Sequence, residues 1–268
     1  MTGPADPRQR DVYAVKSGSE MIYAEATGSG RPVVLCHGLG GNHAIWWRQI
    51  DTFARRHRVI TWDQRGFGNS TSASGDVSIG AAAADLLAIL AELDLRDACV
   101  VGQSMGAFTG LRAALTDRRR IGSLVISTSL AATPPEHTEA LQAAVGSRTG
   151  RDQHPVLSDE FSASSPDLAV LYNLISSFGM KPASAAMLGH MAREQFTDGE
   201  LQELAMPVAF VAAEDDTFCP PGVMAYARKR FRDASMHVLP GASHSAYYEN
   251  PRQWNDAVLA LTAPGSPR

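Results

Sequence analysis

Four continuous apolar runs, "RPVVLCHG", "HRVITWD", "ACVVG" and "IGSLVIST", punctuate the first half of the chain. Runs without polar alternation are what strands covered on both faces look like. Helical patterns separate them. "HAIWWRQIDTFAR" reads as one helix. From Ile79, apolar residues return at Ala83, Leu86, Leu87, Leu90 and Leu93, the 3.6-residue period. "MGAFTGLRAAL" reads as another helix. Such alternation leaves little choice of architecture: parallel strands joined by right-handed helical crossovers. Ahead of it, "DVYAVK" and "EMIYAEA" around "SGS" read as a β-hairpin.

The rhythm stops at about residue 130. Up to about 203 no strand pattern occurs, and "PPEHTEALQAAV", "PDLAVLYNLISSF" and "PASAAMLGHMAREQF" are helical in period with Pro near their starts. Alternation then resumes with "MPVAFVAAE", "PPGVMAYARKRF", "ASMHVLP" and "PRQWNDAVLALT". The expected organisation is one α/β core, residues 11–129 and 204–263, with a helical insertion at 130–203. The two ends of the chain read as frayed tails.

Composition narrows the function. The chain has 268 residues, a net charge of -4 and 44% hydrophobic residues, enough for one large soluble core. There is no basic stripe for nucleic acid, no run of membrane-spanning length and no apolar segment behind the charged N-terminus to make a signal peptide. The expectation is a cytoplasmic protein acting on a small molecule, with neither nucleic acid nor membrane as partner. The oligomeric state is left open, a homodimer included. Cys36, Cys99 and Cys219 lack metal-type spacing and read as buried reduced thiols. No metal site and no cofactor are expected.

"GQSMG" at 102–106 sits where the strand "ACVVG" hands over to a helix. A serine at such a corner has unfavourable dihedrals, and flanking glycines let strand and helix approach closely. The helix that follows aims its positive end at the serine oxygen. A serine hydroxyl becomes a nucleophile only beside a base, and the base needs a third group to hold its tautomer. In parallel sheets such groups gather at the carboxyl ends of strands. The motif is the G-x-S-x-G elbow of serine hydrolases.

Further motifs make the chain resemble the α/β-hydrolase family from about residue 19 to 262. "CHGLGG" at 36–41 is similar to the family's oxyanion loop and "WDQRGFGNS" at 62–70 to its D-x-R-G-x-G-x-S turn. "AEDDTFCPP" at 213–221 is similar to its acid loop and "PGASHSAYYENP" at 240–251 to its histidine loop. The resemblance implies a mostly parallel, eight-stranded sheet flanked by helices, with 130–203 as a cap. It also implies Ser104 as nucleophile, Asp216 as acid, His244 as general base, and the N–H groups of Leu39 and Met105 as oxyanion hole. His43, Trp46, Gln103 and Phe218 are the expected substrate contacts, although Trp46 reads equally as core. His37 reads as a structural hydrogen-bonder, and His154 as exposed or packing.

The implied activity is cofactor-independent cleavage of a carboxylic ester or lactone through an acyl-enzyme. Two alternatives stand beside it. Carbon–carbon hydrolases of ring-cleavage diketones share "SMG", but Gln103 and Ser245 replace the Asn and Trp that many of them carry. A hydrolase-derived ligand receptor with little turnover is the other.

Overall fold

The computed structural model describes residues 9–148 and 154–262. The tails at 1–8 and 263–268, the outer core boundary at 263 and residues 149–153 of the insertion lie outside the described residues. Eight strands form one sheet: β1 (Arg10–Ser17), β2 (Glu20–Thr27), β3 (Arg31–Cys36), β4 (His57–Trp62), β5 (Ala98–Gln103), β6 (Ile121–Ser127), β7 (Val208–Ala213) and β8 (Ala234–Leu239). Their order is β1-β2-β4-β3-β5-β6-β7-β8. Pairing is antiparallel at β1/β2 and β2/β4 and parallel from β4 through β8.

Eleven α-helices are described: α1 (Trp47–Ala54), α2 (Ile79–Glu92), α3 (Met105–Thr116), α4 (Pro135–Arg148), α5 (Asp159–Ser164), α6 (Pro166–Ser177), α7 (Ser184–Arg193), α8 (Asp198–Gln202), α9 (Pro221–Lys229), α10 (Ala246–Glu249) and α11 (Pro251–Thr262). Central strands alternate their side chains between two apolar layers. Val34, Val100, Ile126 and Phe210 meet Leu86, Leu111 and Met224 of α2, α3 and α9 on one face. Leu35, Val101, Val125 and Val211 meet Phe53 and Trp254 of α1 and α11 on the other. Burying each such side chain contributes roughly 1.5–3 kcal/mol. Two covered faces therefore make unbroken apolar strands the stable solution.

One helix expectation changes. Residues 43–55 do not form a single helix: His43–Trp46 is a 3-10 turn and α1 begins at Trp47. The Asn42 side chain accepts the Ala44 N–H at 2.9 Å and sets the tight first turn. Helices α4 to α8 all leave the chain between β6 and β7. They are tied to the core by Asn42 Nδ2 donating to Ile175 O at 2.7 Å, Tyr248 OH to Leu168 O at 2.7 Å, and Arg112 to Glu194.

The loop after β4 is held by Glu20. Its carboxylate accepts the Thr71 hydroxyl at 2.6 Å and the Ala73 and Ser74 N–H groups at 2.8 Å each. The Thr71 hydroxyl and then these backbone donors bring its pKa from 4.5 to about 2. A depressed carboxylate contributes stability above its unfolded pKa and loses it as pH falls through the folded one. Denaturant titrations should therefore show stability falling between about pH 4.5 and 2, and Glu20→Gln should remove up to about one proton from that slope. An unchanged acid limb in the variant would refute this role.

Candidate active site

The end of β5 turns into α3 through Ser104, whose backbone lies at φ 51°, ψ −116°. A non-glycine residue there stores on the order of 1–3 kcal/mol of strain. The neighbours explain how it is held. A Cβ on Gly102 would fall 2.4 Å from Ala107 Cα, and one on Gly106 would fall 2.1 Å from the Cys36 carbonyl oxygen. Only glycine lets α3 cross this close to β5 and β3. Ser104 N–H donates to Ser127 O at 3.0 Å, and Ser129 Oγ donates to Ser104 O at 2.7 Å. The residue is 6% exposed, at the wall of a cavity of ≈ 260 Å³.

Two loops at the same sheet end supply His244 and Asp216. Asp216 follows β7, is 3% exposed, and accepts the Phe218 and Cys219 N–H groups on Oδ1 at 2.8 and 2.9 Å. Its Oδ2 accepts from His244 Nδ1 at 2.9 Å. That bond puts the proton on Nδ1 and leaves Nε2 free to take another. The loops are joined by Glu214 N–H to Leu239 O at 3.0 Å and Asp215 N–H to Ala242 O at 2.8 Å. The Phe218 ring meets the His244 ring edge-on, with centroids 5.3 Å apart.

Asp216, Cys219 and His244 also place potential ligand atoms within 4.8 Å of one another. They do not suit a metal. Both Asp216 oxygens and His244 Nδ1 are committed to each other and to backbone donors.

The loop after β3 is braced from below. His37 Nδ1 donates to Gly38 O at 2.9 Å, while its Nε2 accepts the Gln64 N–H at 3.0 Å. Burial lowers the His37 pKa, so the ring stays neutral and can play both roles. Gly40, at φ 81°, makes the turn that brings Leu39 to the cavity wall. Leu39 N–H and Met105 N–H have no hydrogen-bond partner among the described residues. The second belongs to the first turn of α3, where N–H groups point outward and favour negative charge.

Of the expected substrate contacts, Gln103 lines the cavity. Its Nε2 donates to Thr128 Oγ1 at 3.1 Å and to His244 O at 3.4 Å, so it also links the elbow to the histidine loop. The other three do not line this cavity. His43 gives its backbone N–H and Nδ1 to Asp63 Oδ1 at 2.6 and 2.8 Å and stacks on Tyr23, away from the cavity. Trp46 is fully buried against Tyr247 and Trp254 behind the wall. Phe218 packs beneath His244 and does not line the cavity. The 3-10 turn at His43–Trp46 rotates its side chains into the core, which nearness in sequence to the oxyanion loop did not reveal.

Apart from Tyr247 of α10, the lining side chains that sequence reasoning missed come from the insertion. Leu141, His154, Tyr172, Lys181, Leu188 and Met191 all line the cavity. Helical period marked their segments as amphipathic but gave no sign of which face meets Ser104.

Fold and site together define a hydrolase of the α/β class, and comparison with known proteins agrees. The family model described as alpha/beta hydrolase fold matches residues 31–179, and the chain belongs to that family. It is 26% identical to a protein of Azorhizobium caulinodans named carbamate hydrolase RutD, over 91% of this chain and 96% of that one. A Variovorax paradoxus protein of the same name is 28% identical, over 89% and 95%. Among solved structures, a thermophilic esterase from Thermogutta terrifontis superposes with a TM-score of 0.78 at 25% identity, over 94% of this chain and 97% of that one.

Proposed function

We propose that this chain is a serine hydrolase cleaving a carboxylic ester or lactone of a small, largely apolar substrate. The observation that carries the reading is the pairing of His244 with buried Asp216 at the cavity that holds Ser104 on its strained turn. Ser104 Oγ attacks the carbonyl carbon and its proton passes to His244 Nε2. Asp216 stabilises the imidazolium, and the Leu39 and Met105 N–H groups hold the oxyanion. The carbon–oxygen bond breaks, and the leaving alcohol takes the proton from Nε2. Water then gives its proton to Nε2 and attacks the acyl-enzyme carbonyl; as the bond to Ser104 Oγ breaks, Nε2 returns that proton to Oγ and the acid leaves. The cavity, at ≈ 260 Å³, falls just under the range of roughly 300–1,000 Å³ usual for drug-sized ligands, which favours a small substrate.

A carbamate is the second reading, favoured by the names of the two bacterial relatives. It needs the same nucleophile and oxyanion hole and differs in the group left on the acyl-enzyme. A screen of p-nitrophenyl esters, lactones, p-nitrophenyl carbamates and vinylogous diketones separates the cases. Short esters or lactones should turn over best, with a p-nitrophenol burst of about one equivalent when deacylation is slow. Turnover confined to carbamates would favour the second reading. Turnover confined to diketones would overturn both.

A further inference from the structure

The cavity wall carries an unbalanced charge. Lys181, an exposed residue, lines it, and no Asp or Glu does so among the described residues. Lys181 stands on a fixed base. Its neighbour Met180 exchanges two backbone hydrogen bonds with Gly68 of the core, at 2.8 and 3.1 Å, and Pro182 follows it. Lys181 Nζ donates to the carbonyl of Ser176 at 3.3 Å and forms no ion pair among the described residues. Two of its three N–H bonds remain for another acceptor.

His154 adds a donor without adding charge. Burial first, and then the nearby Lys181 charge, push its pKa down to about 4, so the ring is neutral near pH 7. The Val156 N–H reaches Nδ1 at 3.5 Å, which leaves the proton on Nε2. That nitrogen faces the oxyanion loop: a Cβ built on Gly40 would lie 3.6 Å from it. The insertion thus supplies one cation and one neutral N–H donor to a small cavity whose remaining insertion wall is largely Leu, Met, Pro and Val.

We propose that the substrate carries a carboxylate besides the bond that is cleaved, and that Lys181, with His154 Nε2–H beside it, is the subsite that binds it. One ammonium matches one unit of negative charge, so a monoanion fits this wall better than a phosphate dianion. The inference rests on the reading of Ser104 as nucleophile in the same cavity. Lys181 is a specificity residue on this account, so it acts on KM and leaves the chemical step alone.

The test uses two matched pairs of esters that differ by one carboxylate: methyl pentanoate against monomethyl glutarate, and phenyl acetate against 3-acetoxybenzoate. The pairs place the charge on the acyl side and on the leaving-group side. In at least one pair the wild type should prefer the anion by about tenfold or more in kcat/KM, as a charge-assisted contact supplies. Raising the ionic strength should shrink that preference. Lys181→Met should raise KM for the anion by about tenfold, with kcat and the neutral ester changed by less than about threefold, and Lys181→Arg should retain most of the preference. Lys181→Met acting equally on both esters, or on neither, would overturn the inference. So would a wild type that is labelled by a fluorophosphonate and hydrolyses neutral esters but shows no anion preference. A wild type neither labelled nor active on any ester would overturn the hydrolase reading and this inference with it.

Discussion

Ser104→Ala is expected to lower ester turnover on the order of 10^3-fold or more and to abolish labelling by a fluorophosphonate probe. The size follows from what the variant keeps. Without Oγ no acyl-enzyme forms, but the cavity, the oxyanion donors and His244 remain, and these alone leave residual catalysis over water. Folding should be nearly unaffected. Both residues are L amino acids with the same difficulty at φ 51°, and the hydrogen bonds that fix the turn use Ser104 backbone atoms. Stability within about 1 kcal/mol of wild type is expected from denaturant titration. Labelling that survives in the variant would move the nucleophile elsewhere.

The second large effect separates two adjacent carboxylates. Asp216→Asn should cut turnover on the order of 10^3-fold or more, while Asp215→Asn should change it by less than about tenfold. Asp216 is 3% exposed and its carboxylate only accepts: two backbone N–H groups on one oxygen and His244 Nδ1–H on the other. An asparagine amide must turn its NH2 toward one of those donors. If it faces the histidine, the ring is driven to the opposite tautomer, and Nε2 no longer accepts the serine proton. If it faces the backbone, two N–H groups lose their acceptor. In either orientation the charge that stabilises the imidazolium is gone. Asp215 is exposed, and its structural contact is a backbone N–H to Ala242 O at 2.8 Å, which the substitution leaves intact. Circular dichroism and thermal melts on both variants secure the comparison. The reverse ranking, with both folded, would reassign the acid and leave Ser104 and His244 in place.

Much of this molecule is legible locally. Strands buried on both faces must be apolar at every position, so β3, β5, β6 and β7 announce themselves without any knowledge of their neighbours. The elbow is also a local device. Ser104 and its glycines are dictated by one corner between β5 and α3, whereas Asp216 is singled out by the resemblance of its loop to the family's acid loop. These segments converge because parallel strands all present their carboxyl ends to the same side.

Tertiary packing alone decided the rest. His43, Trp46 and Phe218 are close in sequence to site residues, yet an Asp63 carboxylate, a cluster of aromatic rings and the underside of His244 claim them. Conversely, His154, Tyr172 and Lys181 lie far from every motif, and only the docking of the insertion brings them to the cavity. The physical reason is one of range. Periodicity and turn chemistry act over a few residues and fix which face of an element is apolar. What that face meets depends on contacts between distant parts of the chain, and so does the identity of the side chains that reach the substrate.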